Sequence, residues 1–180
     1  MIVEHGNTVY DSRNNCNAII ETETNELLIG CKNTIIPNSV VSIGDGAFSD
    51  CHGLTSISIP NSVTSIGEQA FIDCSKLSEI KLPSGITSIS AHTFANCDSL
   101  VTVEIPEGVK TVNAMAFYNC DNLKTINIPS SLTDFRNNAG IERLSQCIES
   151  SASLSICFNQ AQLPHFFCDG IGAGFLQSKK

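Results

Sequence analysis

Cysteine is the residue type with the most chemical potential in this chain, nine among 180 residues. Cys51, Cys74, Cys97 and Cys120 recur every 23 residues. Thiols at a fixed period could form a disulfide ladder or a column of metal ligands. Zinc sites take clustered ligands such as C-x2-C, and the chain has no such cluster. Rungs stacked at strand spacing lie roughly 5 Å apart, inside the Cα range of a disulfide. Side chains in register on parallel rungs, however, point their Cβ atoms the same way and not at one another. The spacing therefore predicts a row of buried thiols, each a small hydrophobe with a weak donor. Five cysteines lie off this row. Cys16 and Cys31 flank a segment that reads as a hairpin and could pair across it. Cys147, Cys157, His165 and Cys168 are four potential ligands whose spacing matches no finger or ribbon. Nine is odd, so at least one thiol stays free if the others pair.

The remaining chemistry-bearing residues form no catalytic set. His5, His52, His92 and His165 are scattered, and none stands at catalytic spacing from an acid or another His. The serines sit in turns and strands without a G-x-S-x-G elbow. Gly170-x-Gly172-x-Gly174 imitates a nucleotide loop but follows no clear strand and opens no helix. No N-x-[ST] sequon is present. The expectation is a non-enzyme with no cofactor and no metal. Lys and Arg number 10 against 18 Asp and Glu, a formal charge of −8 that argues against nucleic acid as a partner. No apolar run reaches membrane-spanning length, so no membrane insertion is expected. The start, Met1-Ile2-Val3-Glu4-His5-Gly6, lacks the features of a secretory signal. That leaves a cytoplasmic protein, or a fragment whose upstream part carried the address.

The elements that position these residues follow from an internal repeat. Pro37, Pro60, Pro83, Pro106 and Pro129 are each 23 residues apart. The four segments between them share P-x2-[VI]-x2-[IV]-x3-[AT]-F-x2-C-x2-L-x2-[IV]-x-[IL], with no insertion or deletion. A fixed period in this range with this apolar spacing is the mark of a leucine-rich repeat solenoid. In Leu54-x-x-Ile57-x-Ile59, residues two apart on an extended strand share a face, so Ser56 and Ser58 face the opposite way. Each repeat thus supplies one short strand, and successive strands stack in parallel. The Pro at the strand end donates no ladder hydrogen bond and terminates it. Val63-x-x-Ile66 returns along the other side, as a second short strand or a tight turn. The Ala-Phe-x-x-Cys stretch turns the corner, as one helical or 3₁₀ turn. Phe48, Phe71, Phe94 and Phe117 are expected to stack in a buried row.

These segments resemble the BspA-type leucine-rich repeat of bacterial surface antigens and some protozoan surface proteins. The stretch from Asn7 to Pro37 is similar to the longer, hairpin-bearing unit that interrupts such arrays. The resemblance spans about residues 1–139. It implies a right-handed β/α superhelical solenoid, mostly short parallel strands joined by turns or 3₁₀ segments. It also implies a protein–protein interaction role, adhesion at a cell surface or after secretion, with matrix or host cell-surface proteins as partners.

The chain divides into an N-terminal hairpin-bearing unit (1–36), four repeats and the start of a fifth (37–132), and an atypical C-terminal cap or tail (133–180). Ile2-Val3-Glu4 reads as a strand of a preceding repeat. Asn17–Thr22 and Glu26–Gly30 read as a β-hairpin. An array beginning in mid-strand would expose a sheet edge unless the hairpin packs over that end. Beyond Pro129 the register persists at Leu132, Phe135 and Ala139. Gly140 then stands at the Phe position and Arg143 at the Cys position. Ile141, Leu144 and Ile148 suit an amphipathic helix over the last rung, and Leu154-x-Ile156-x-Phe158 alternates like a strand.

The outward strand positions are the candidate partner-binding face. They form two rows, Ser56, Glu79, Thr102, Thr125 and Ser58, Lys81, Glu104, Asn127. A solenoid uses its concave sheet as a binding surface. This one is small, polar and of mixed charge, without the Trp, Tyr and Arg that dominate interface hot spots. Weak contacts multiplied by repeats or by copies on a surface would suit it. Tyr118, Lys124, His52 and Lys76 lie near the turns and could extend it. The alternative is a structural spacer or intracellular scaffold with no tight ligand of its own.

Overall fold

The computed structural model describes residues 2–4, 6–135 and 139. The chain winds into a β-solenoid of about four turns in which each repeat makes one coil. Twelve short strands carry it: β1 (Tyr10–Asp11), β2 (Ile19–Glu21), β3 (Glu26–Ile29), β4 (Ser42–Ile43), β5 (Ser56–Ser58), β6 (Ser65–Ile66), β7 (Glu79–Lys81), β8 (Ser88–Ile89), β9 (Thr102–Glu104), β10 (Thr111–Val112), β11 (Thr125–Asn127) and β12 (Asp134–Phe135). The described residues contain no α-helix and a single 3₁₀ turn at Arg13–Asn15.

The two strand positions of each repeat build the two sides of the coil. On one side β5, β7, β9 and β11 pair in parallel with a register of one full repeat, Ser56↔Glu79↔Thr102↔Thr125. On the other, the Val-x-x-Ile segments form two-residue strands, which settles the choice between strand and turn. There β3, β4 and β6 pair in parallel, as do β8, β10 and β12. Between β6 and β8 this second ladder is interrupted. The amides of Gly67 and Asn113 donate to the carbonyls of Ile43 and Ile89 (2.8 and 2.9 Å). At the equivalent Ser90 the hydroxyl takes over, and Ser90 Oγ donates to the Ile66 carbonyl at 2.7 Å.

The core lies between the two sides. Ile57, Ile80, Val103 and Ile126 point inward from the first, and Ile43, Ile66, Ile89 and Val112 from the second, all buried. Buried at this level, each side chain contributes about 1.5–3 kcal/mol relative to exposure. The corner is closed by Phe48, Phe71, Phe94 and Phe117. Their rings stack at 5.0, 5.6 and 5.5 Å with interplanar angles of 12° or less. The Ala-Phe-x-x-Cys stretch is made of hydrogen-bonded turns, not a helix. Each coil places two residues in the left-handed region, Gly46, Gln69, His92 and Met115 before the Phe, and Asp50, Asp73, Asn96 and Asn119 just before the Cys. Two reversals of φ per corner keep the turns from propagating as a helix.

The N-terminal unit closes the first coil. β2 and β3 form the expected antiparallel hairpin, with Asn25 left-handed at its turn, and β3 continues in parallel into β4. The outermost strand differs from the expectation. Ile2-Val3-Glu4 is not a strand. Its Val3 amide donates to Ser12 Oγ (3.1 Å), and Tyr10–Asp11 supplies the edge, antiparallel to β2. Arg13 pins this edge. Its guanidinium meets Asp11 at 2.7 Å and donates to Asn25 Oδ1 at 2.7 Å, tying the segment to the hairpin turn.

The fifth coil holds register as far as it is described. Phe117 N–H donates to the Ala139 carbonyl (2.8 Å), as Phe48 does to Ala70 (2.7 Å). Ala139 is buried and Leu132 packs against the core. The expected helix at Ile141, Leu144 and Ile148, the alternation at 154–158 and the Gly170–Gly174 run lie outside the described residues, as do His5, Cys147, Cys157, His165 and Cys168.

Candidate partner-binding face

The outward face of β5, β7, β9 and β11 is set by strand alternation over the buried central row. Ser56, Ser58, Glu79, Lys81, Thr102 and Glu104 are all exposed. With Ile57 and Ile80, these six line one open groove of about 380 Å³. Lys81 stands in register with Glu104 and two residues from Glu79. None of the three head groups pairs with another charge among the described residues, so the groove offers two carboxylates, one ammonium and three hydroxyls to solvent. It can form charge-assisted hydrogen bonds to a polar, extended partner.

The last two members of the expected rows are placed differently. Thr125 is half-buried and lies beyond the groove. Asn127 is engaged within the fold, accepting from the Ile105 amide (2.7 Å) and donating to the Ile105 carbonyl (3.0 Å). It holds the end of β9 against β11 and offers less to a partner. Of the residues near the turns, His52 donates from Nδ1 to the Asp73 carbonyl at 2.8 Å, with Nε2 3.8 Å from Asp50. Tyr118 is exposed among the turns.

The cysteine row sits on the corner, away from this groove. Cys74 Sγ donates to the Phe48 carbonyl (3.2 Å), Cys97 to Phe71 (3.3 Å) and Cys120 to Phe94 (3.1 Å). Each thiol thus ties its coil to the Phe of the coil before. Burial pushes Cys74 and Cys120 up to about 12 and raises Cys97 further, so all three remain protonated thiols at neutral pH. Cys16 and Cys31 are not bridged. Cys16 Sγ approaches the Ala18 carbonyl (3.8 Å) and Cys31 Sγ donates to the Asn17 carbonyl (3.4 Å). Both thiols meet carbonyls of the two residues just before β2.

A further row escaped the sequence reading. Asn96 Nδ2 donates to Asp73 Oδ1 (2.8 Å) and Asn119 Nδ2 to Asn96 Oδ1 (3.1 Å). The signal was an Asp or Asn before every repeat Cys, a residue type that tolerates the left-handed conformation.

This architecture defines a leucine-rich repeat protein. The family model for the BspA type leucine rich repeat region, in six copies, matches residues 19–143, and the chain belongs to that family. Among solved structures, a leucine rich cell surface protein from Faecalibacterium prausnitzii is 35% identical with a TM-score of 0.67, over 73% of this chain and 36% of that one. A leucine-rich repeat protein from Bacteroides ovatus is 30% identical with a TM-score of 0.56, over 75% of this chain and 37% of that one. A leucine rich repeat protein of T. pallidum is 25% identical with a TM-score of 0.59, over 77% and 66%. The chain therefore spans little more than a third of the length of the first two. No curated protein matches it in sequence. Among the described residues no helix is long and apolar enough to cross a membrane.

Proposed function

We propose that this chain is a non-enzymatic protein-binding module that works at a cell surface as an adhesive element, through the groove on β5, β7 and β9. The observation that carries this reading is the convergence of Ser56, Ser58, Glu79, Lys81, Thr102 and Glu104 on one open groove, with their charges unpaired. The Faecalibacterium relative, described as a cell surface protein, supports the location. The groove holds no large aromatic or Arg, so each site binds weakly and clustering supplies the avidity. A partner would be an extended protein segment with cationic and carbonyl groups to meet the two carboxylates and the hydroxyls.

The test is binding of the purified chain to extracellular matrix proteins and host cells, as a monomer and as a clustered multivalent form. Binding in the clustered form, lost in the Glu79→Ala/Lys81→Ala variant, is the expected result. Binding in neither form would favour a spacer or scaffold. Binding that survives the double substitution would move the site off this groove.

A further inference from the structure

Gly30 occupies the Phe position of the coil made by the hairpin unit. Its amide donates to the Ala47 carbonyl (2.7 Å), as Phe48 donates to Ala70 and Phe71 to Thr93 (2.7 and 2.9 Å). The thiol of the following coil repeats the pattern: Cys51 Sγ faces the Gly30 carbonyl as Cys74 Sγ faces that of Phe48. Here the contact is slack, 4.0 Å against 3.2 Å. The residue after the Phe position is Ser49, Ile72, Ala95 or Tyr118 in the regular coils and Cys31 in this one. The peptide unit facing the Cys51 thiol therefore carries a second cysteine.

This pair differs from its neighbours in three ways. Cys31 is out of register with the thiol row, so the parallel Cβ directions that keep Cys51, Cys74, Cys97 and Cys120 apart do not constrain it. Cys31 and Cys51 are both half-buried, as Cys120 is at the far end of the row, whereas Cys16, Cys74 and Cys97 are buried. The two also sense one another, since after burial a charge on Cys31 is the next influence raising the Cys51 thiol. Neither acceptor opposes a rearrangement. Cys51 gives up only a long contact. The Asn17 carbonyl released by Cys31 keeps a second donor, Thr34 Oγ1 at 2.9 Å.

We propose that Cys31 and Cys51 form a thiol–disulfide exchange site that staples the hairpin unit to the first repeat in an oxidising environment. The oxidant is a low-molecular-weight disulfide. The thiolate of one cysteine attacks a sulfur of that disulfide, which expels one small thiolate and leaves a mixed disulfide. The thiolate of the other cysteine then displaces the second small thiolate. The protein loses two protons and two electrons, and the small disulfide takes them up to become two thiols. The bridge would close a loop across the junction where β3 meets β4, restraining the unfolded chain.

The experiment treats the full chain with oxidised glutathione at about pH 8.5, where thiolate is available, and maps the products by mass spectrometry with fragmentation. The expected product is two hydrogens lighter, with Cys31 linked to Cys51. Its melting temperature should be higher than that of the reduced chain, and amide exchange over β2 and β3 slower. Cys31→Ser and Cys51→Ser should each abolish the link. Mapping the unaltered chain decides the matter even if a variant folds poorly. A persistent glutathione adduct without the cross-link would overturn the proposal. So would a Cys16–Cys31 or Cys51–Cys74 link, or both thiols unchanged over a period in which the denatured chain oxidises.

Discussion

The groove face and the Phe–Cys corner come from the same 23-residue period yet treat it in opposite ways. At the corner every coil repeats the same side chains, Phe48 to Phe117 and Cys51 to Cys120. From the second repeat on, each is fixed by the coil before it through ring stacking or a thiol-to-carbonyl hydrogen bond. On the groove face the paired positions read Ser-Ser, Glu-Lys, Thr-Glu and Thr-Asn, and the first three pairs leave their head groups in solvent. Stacking constrains whatever touches the next coil and leaves free whatever does not. The corner therefore carries the stability and the face is free to carry the specificity.

The sharpest way to break this contrast is at the centre of the stack. Phe94→Ala removes a fully buried ring between Phe71 and Phe117. It should cost about 3–5 kcal/mol in urea unfolding, as for other buried aromatics. A loss under about 1 kcal/mol would mean that the ring row is not core. Next comes Gly30→Ala. A Cβ at Gly30 would run into the Phe48 ring, which lies directly against that backbone. Overpacking of this kind costs about 1–3 kcal/mol. Tm should fall, and Phe48→Leu should restore part of it by making room. A smaller effect is expected at the N-terminal edge. The Arg13 hydrogen bond holds the Asp11 carboxyl below the usual carboxylate range. The stability it contributes is present above the ordinary Asp pKa of about 4 and is lost as pH falls through the lower folded value. Protection of the β1 amides, corrected for intrinsic exchange, should therefore fall on acidification below about pH 4, and Arg13→Ala should remove that pH dependence. The smallest change is on the open face. Glu79→Ala with Lys81→Ala should shift stability by less than about 0.5 kcal/mol, measured by thermal melting. Unfolding from that pair would show that these side chains face the core.

Much of this contrast was legible in the sequence because a solenoid repeats its evidence. Residues two apart in Ile57-x-Ile59 assigned the inward face, and the in-register Phe positions predicted the ring stack. The outward rows followed by alternation. What was not legible depended on contacts between coils. Asn127 is exposed as alternation predicts, but on the last strand of the groove sheet its amide is taken up by the Ile105 backbone. Ile2-Val3-Glu4 has the apolar character of a strand, yet the antiparallel partner of β2 comes from Tyr10–Asp11, where the chain geometry around Arg13 brings it. The Asp73–Asn96–Asn119 row was present as a residue type at fixed spacing, but only the left-handed backbone reveals its role.

The substitution at Ser90 has a mechanical consequence. The coils on either side of it share the groove sheet and the corner, but on the β6–β8 side one hydroxyl stands in for the strand pairing. A load pulling the coils apart would find its weakest seam there, between the second and third repeats. The array would then open like a book along that line, hinged on the β5–β7–β9–β11 sheet, before any coil lost its own shape.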